Sequence, residues 1–166
     1  MEIRAARVED AGALAAAMKV VVDEGRWLAT QSDRTVEDLT EMFRSGIEDG
    51  HILLVLEEEG RVLASVGVHP TGIEGVHNLG MWLLPEVRER GWGRRLAEAA
   101  LREADARGIR KVELEVFPDN GRALALYASS RFEIEGVRRD HYPRLDGSIH
   151  SAVIMARFPR ARGASG

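Results

Sequence analysis

The stretch Met81-Trp82-Leu83-Leu84-Pro85-Glu86-Val87-Arg88-Glu89-Arg90-Gly91-Trp92-Gly93 decides how this chain is read. Its first residues are apolar and lead into Pro85, which cannot continue a central strand. Beyond Gly91, Leu96, Ala97, Ala100, Leu101 and Ala104 recur at helical spacing, and Gly108 closes that helix at about Arg107. The segment is therefore strand, short loop, helix, with two glycines where the helix starts. The first N–H groups of a helix have no partner within it, and the helix dipole favours an anion there. Glycine lets a ligand approach that backbone closely. Arg88, Arg90 and Arg94 add positive charge, so the residues suit a pyrophosphate. An arginine-rich helix start that is simply solvated would use the same residues.

Two other phosphate motifs fit poorly. A dinucleotide-binding turn wants a third glycine and a tight connection, but Leu96 stands in the third place and six residues, Pro85–Arg90, separate strand from glycines. A P-loop needs Gly-Lys-Ser/Thr, which this stretch lacks.

Working outward, Glu2–Ala6 reads as a strand and Asp10 as the cap of a helix carrying Leu14, Met18, Val21 and Val22 up to Gly25. Trp27–Asp33 is a loop. Thr35 opens a second helix with Leu39, Met42, Phe43 and Ile47 on one face. His51–Leu56 and Arg61–Val68 form a hairpin around Glu59-Gly60, and His77–Leu84 is the strand that enters the key loop. In Glu113-Leu114-Glu115-Val116, polar and apolar residues alternate, as in a strand with one buried face. Asp119 or Asn120 caps a short helix to about Ser129. Phe132–Asp140 and Ile149–Phe158 close the chain as two strands around Asp146-Gly147. The order predicts one α/β domain (α+β mixed) over residues 1–158: a mixed, mostly antiparallel sheet with helices on both faces, and a flexible tail over 159–166.

A second motif follows the alternating strand: Pro118-Asp119-Asn120, then Ala123, Leu126, Tyr127 and Phe132. Together with Arg88-Glu89-Arg90-Gly91-Trp92-Gly93 it resembles the GNAT acetyltransferases, whose pattern is Arg/Gln-x-x-Gly-x-Gly/Ala followed by Asn-x-x-Ala-x-x-Leu-Tyr-x-x-x-Gly-Phe. The likeness extends over essentially the whole chain. It departs at Arg131, which stands where the family has a glycine. The resemblance implies acetyl-CoA as cosubstrate and acyl transfer to a primary amine. It implies that Arg88, Glu89, Arg90, Gly91, Trp92, Gly93 and Arg94 wrap the CoA pyrophosphate. It also implies that Met81, Trp82 and Leu83 lend backbone to the pantetheine and thioester, and that Asn120 both caps its helix and binds pantetheine.

By the same resemblance Tyr127 is the general acid at the CoA sulfur, and Glu115 aligns with the general-base glutamate of ribosomal-protein alanine acetyltransferases. Read alone, Tyr127 is also a packed aromatic and Glu115 a solvated strand glutamate with the same parity as Glu113. Glu24, Trp27, His141 and Tyr142 lie in segments expected to meet the acceptor. The acceptor is expected to be a small-molecule amine or amino acid, with a protein N-terminus or lysine as the alternative, and a non-catalytic CoA sensor as a more distant one.

Composition narrows the rest. The 166 residues carry a formal net charge of −4, which argues against a nucleic-acid or anionic-membrane surface. There is no cysteine, and the five histidines show no ligand spacing, so no metal is expected. No apolar run reaches spanning length and no signal-peptide pattern opens the chain, so a cytoplasmic location is expected. The apolar last strand, with Ile149, Val153, Ile154 and Met155, is expected near a sheet edge, a liability unless paired or covered, and points to a homodimer.

Overall fold

In a computed structural model, which describes residues 1–29, 33–144 and 146–159, seven strands form one sheet in the order β1-β2-β3-β4-β5-β7-β6. The strands are β1 (Glu2–Ala5), β2 (Ile52–Glu58), β3 (Arg61–Pro70), β4 (Val76–Leu83), β5 (Lys111–Val116), β6 (Glu133–Pro143) and β7 (Ile149–Arg157). The helices are α1 (Ala11–Asp23), α2 (Val36–Glu48), α3 (Trp92–Ala106) and α4 (Gly121–Ser129). Every pairing is antiparallel except β4 with β5, the one pair joined through a crossover helix, α3. Residues 160–166 of the expected tail, 30–32 of the expected loop, and Leu145 lie outside the described residues.

Alternation along the strands assigns the two faces. Val66, Val68, Leu79, Leu114 and Val112 are buried on one side. The start of α3 lies there, since a Cβ on Gly93 would sit 3.7 Å from Met81 Cε and 3.9 Å from Leu83 Cδ1. The opposite face carries Ser65, Gly67, Asn78, Gly80, Trp82, Glu113 and Glu115. β5 shows the pattern its sequence requires: Val112, Leu114 and Val116 are buried, while Lys111, Glu113 and Glu115 are half-buried.

Three local expectations change. Asp10 does not cap α1 with its side chain; its carboxylate takes Arg4 at 2.7 and 2.9 Å and the Arg7 N–H at 2.7 Å, which holds its pKa below the usual carboxylate range. Met42, expected inside, is 42% exposed. The apolar last strand lies next to the sheet edge, as its sequence suggests, but is paired on both sides. β7 lies between β5 and β6, burying Val153 and Met155 within the chain, so it offers no free edge to a second copy. Thr35, by contrast, caps α2 as its sequence suggests, with Asp38 completing a reciprocal box.

Arg131 occupies the turn after α4 with φ +68°, the left-handed region that favours glycine. The Phe132 N–H reaches back to the Tyr127 carbonyl at 3.0 Å, closing the helix end. Arg131→Gly should therefore raise stability by about 1 kcal/mol, the cost of a side chain in that conformation. Thermal denaturation should show a rise of about 2–4 °C; an unchanged or lower midpoint would contradict the account of this turn.

Candidate active site

The site begins where β4 and β5 part. They pair only from Val76/Lys111 to Asn78/Glu113, yet both run on, β4 to Leu83 and β5 to Val116. On its other side β4 stays bonded to β3 throughout. The Leu84 N–H donates to the Leu63 carbonyl at 2.9 Å, which by antiparallel alternation points the backbone groups of Trp82 and Gly80 at β3 as well. Those of Met81 and Leu83 consequently point into the opening. The Leu83 carbonyl there accepts Arg88 Nε at 2.9 Å.

The loop after β4 turns twice in the left-handed region, at Glu89 (φ +62°) and Gly91 (φ +80°), before α3 begins. The Arg95 N–H is the first to bond back, to the Gly91 carbonyl, so the N–H groups of Trp92, Gly93 and Arg94 form the free helix start. A Cβ on Gly91 would meet nothing within 4 Å, so the space over this backbone is open. Arg94 lines that space, whereas Arg90 is exposed away from it and the Trp92 ring is half-buried beneath Arg95, 4.8 Å from ring centroid to guanidinium. Glu89 forms an ion pair with Arg122 of α4, tying the loop to the helix opposite.

Arg88 makes a different set of contacts. Its guanidinium holds the Glu24 carboxylate at 2.6 and 2.9 Å, and Trp27 Nε1 donates to the same carboxylate at 2.8 Å. Arg88 keeps the Glu24 pKa below the usual carboxylate range. These three residues, expected to serve cofactor and acceptor separately, thus form one clamp. It fastens the end of α1 to the loop after β4. Arg144 fastens the same segment from the other side: its guanidinium donates to the carbonyls of Leu28 (3.2 Å) and Arg26 and lies 4.2 Å from the Phe117 ring centroid. No sequence pattern marks Arg144, because its partners are backbone carbonyls.

Across the opening, α4 starts at Asn120, whose Oδ1 accepts the Ala123 N–H at 3.2 Å. Two turns on, Tyr127 is buried against Phe132, with ring centroids 5.6 Å apart, and lines the cavity. Burial pushes its phenol up to about 12. From β5, Glu115 Oε2 accepts the Tyr142 hydroxyl at 2.6 Å and Oε1 lies 2.9 Å from Arg138 Nε. Glu113, of the same parity, faces Lys111 at 3.5 Å instead. Tyr142 joins the cavity wall; His141 packs edge-on against it at 4.8 Å but is exposed outside that wall. The cavity measures about 940 Å³ and takes in Met81, Trp82, Leu83, Gly91, Gly93 and Asn120 as well.

The profile of the acetyltransferase (GNAT) family matches residues 20–132, more than half of the chain, and the chain belongs to that family. Over 72 residues it is 40% identical to the ribosomal protein bS18-alanine N-acetyltransferase of Escherichia coli K12, a match covering 43% of this chain. The chain spans about half the length, 48%, of that curated relative. Among solved structures, the ribosomal-protein-S18-alanine N-acetyltransferase from Escherichia coli superposes with a TM-score of 0.75 at 25% identity, covering 99% of this chain and 97% of the other. A GNAT superfamily phosphinothricin acetyltransferase from Sinorhizobium meliloti, in complex with acetyl-CoA, gives 0.85 at 18% identity over 97% and 90%.

The chain has two tyrosines, and both face this cavity. Tyr142 is also pushed up to about 12, by burial first and then by its bond to the Glu115 carboxylate. Phenolate absorbance should therefore show no tyrosine ionising near the ordinary 10 while the fold holds. Glu115→Gln should lower the Tyr142 transition and leave Tyr127 in place. Because both folded-state values are raised, the stability they contribute is full below about 10 and is lost as pH climbs toward 12. A tyrosine titrating normally in the folded protein would contradict this geometry.

Proposed function

We propose that this chain is an acetyl-CoA-dependent N-acetyltransferase that transfers the acetyl group to a primary amine of a small molecule by direct attack on the thioester. The observation that carries this is the parting of β4 from β5. It leaves backbone groups free between an open helix start on one side and Tyr127 with Glu115 on the other. The residues present fit the cofactor. Three free N–H groups, the open space over Gly91 and the Arg94 guanidinium suit a pyrophosphate, and the exposed Met81 and Leu83 backbone suits an extended amide-bearing arm. When bound, acetyl-CoA supplies an activated acetyl thioester.

The chain's own residues then have distinct tasks. The free Leu83 N–H is placed to polarise an acyl oxygen, as an oxyanion donor does. Tyr127, neutral well above physiological pH, can hold and release a proton at its hydroxyl to the departing thiolate. Glu115, with one oxygen on Tyr142 and the other on Arg138, is a fixed carboxylate able to take the ammonium proton directly or through water. The clamps from Arg88 and Arg144 keep the segment after α1 over the cavity and limit water entry. The identity to the bS18-alanine enzyme supports a second acceptor reading, a protein N-terminus.

Two measurements test the reading. Gly91→Val should weaken acetyl-CoA binding by ~10-fold or more by calorimetry, since a branched side chain is strained at φ +80° and covers the helix start. Unchanged affinity in a folded variant would remove the pyrophosphate site. Tyr127→Phe should slow the chemical step by roughly 100- to 10,000-fold with acetyl-CoA affinity preserved. Glu115→Gln should lose most activity where the amine is protonated and regain part of it at higher pH, a recovery that Tyr127→Phe should not show. Near-wild-type chemistry in Tyr127→Phe would overturn the acid role, and a pH-independent loss in Glu115→Gln would make that glutamate structural.

A further inference from the structure

The cavity does not stop at the reacting groups. It continues over the sheet face opposite α3, where Gly67 of β3 and Gly80 of β4 are register partners and so lie side by side on one face. Glycine weakens a central strand, and a facing pair in the middle of a sheet marks a place where something approaches the backbone. Gly80 is exposed in mid-strand, and a Cβ there would meet nothing within 4 Å. On Gly67 a Cβ would meet only Leu53 Cδ1, at 3.3 Å, and the Ile52 carbonyl, at 3.8 Å. α1 and α2 therefore leave a trough uncovered here.

The trough has two defined ends. Carried past Asn78/Glu113, the β4–β5 register puts Glu115 across the opening gap from Gly80, so one end is the proposed proton acceptor. Two residues back along the strands, roughly 7 Å away, the next pair on the same face is Asn78 with His69. Both line the cavity, and among the described residues neither side chain makes a hydrogen bond. Burial lowers the His69 pKa, which leaves a neutral imidazole able to donate and accept. Apart from the imidazoles of His51 and His69 and the two tyrosines, the ionisable side chains lining the cavity among the described residues lie elsewhere: Arg88, Glu89, Arg94 and Arg122 beside the helix start, and Glu115 at the reacting point.

We propose that this trough is the acceptor subsite and that it takes an amine borne on an extended, uncharged chain ending in a neutral hydrogen-bonding group, an amide being the simplest. The inference rests on the acetyltransferase reading. The amine lies at Glu115, the chain crosses the glycine floor, and the distal amide meets Asn78 and His69. Compact α-amino acids fill only the near end, where the Arg138 guanidinium is already paired with Glu115. Each buried methylene adds about 0.8 kcal/mol of transfer free energy, a ~4-fold gain that accumulates with length until the far end is reached.

The test is a series of monoacetylated α,ω-diamines, from ethylenediamine to octamethylenediamine, with acetyl-CoA saturating and thiol release followed. kcat/KM should rise by ~10-fold or more along the series and then level off. Gly80→Val, whose Cβ meets nothing within 4 Å, should flatten that rise, with acetyl-CoA affinity and thermal midpoint confirming an intact protein. Asn78→Ala should act on the long members and spare the short ones. Equal kcat/KM at all lengths in the unaltered enzyme overturns the subsite alone. So does a length dependence that survives both variants, and a preference for the free diamines overturns the neutral far end. Failure to acetylate any amine of the series, with acetyl-CoA bound, overturns the acetyltransferase reading along with it.

Discussion

The site depends on one unmade set of backbone hydrogen bonds. β4 and β5 are neighbours in the sheet, and parallel strands in a closed core ordinarily pair along their whole shared length. Here the ladder stops at Asn78/Glu113 while both strands continue. Unpaired backbone groups in a core are costly unless a partner satisfies them. The fold meets that requirement by opening a cavity at the gap, into which the Met81 and Leu83 backbone faces. The Leu83 carbonyl is taken by Arg88, and on the proposed reading an extended amide chain takes the rest of the opening.

What surrounds the gap follows from it. α3 crosses over from the end of β4 to the start of β5, so its N-terminus must lie at the mouth of the opening. α4 starts where β5 ends, and so brings Tyr127 to the opposite lip. The segment after α1 is pinned above by Arg88 through Glu24 and by Arg144 through the Leu28 carbonyl. Burial at the lip keeps Tyr127 protonated, and the Tyr142–Glu115–Arg138 arrangement keeps a carboxylate in a fixed place. Both groups stand on the β5 side of the gap, the carboxylate on the strand itself and the phenol on the helix that follows it.

Parts of this were legible in the sequence and parts were not, for physical reasons. Gly91 and Gly93 at a helix start, the apolar spacing of α3, and the parity of Glu115 are local, and local chemistry governs them. Asn120 and Tyr127 are two turns apart on one short helix, so their relation is also local. Arg88 and Glu24, 64 positions apart, meet only because the α1 end packs over the β4 loop, which no periodicity foretells. Arg144 and Leu28, 116 apart, are a still longer instance. The Asp10 carboxylate left its capping role because Arg4 of the adjoining strand offered a stronger, charge-assisted partner. Gly67 and Gly80 lie in two strands with nothing in the sequence to link them; only the β3–β4 register makes them one floor.

The central claim is that the gap between β4 and β5 is a slot that an extended amide chain completes. Amide hydrogen exchange, resolved by residue in the free protein and with CoA bound, examines it directly. The Met81 and Leu83 N–H groups should exchange quickly in the free protein and become protected with CoA, as should those of Trp92, Gly93 and Arg94. Gly80 and Trp82, already bonded to β3, should be protected in both states. If CoA binds and the Met81 and Leu83 amides stay unprotected, or are protected without it, the slot is not the binding site and the account fails.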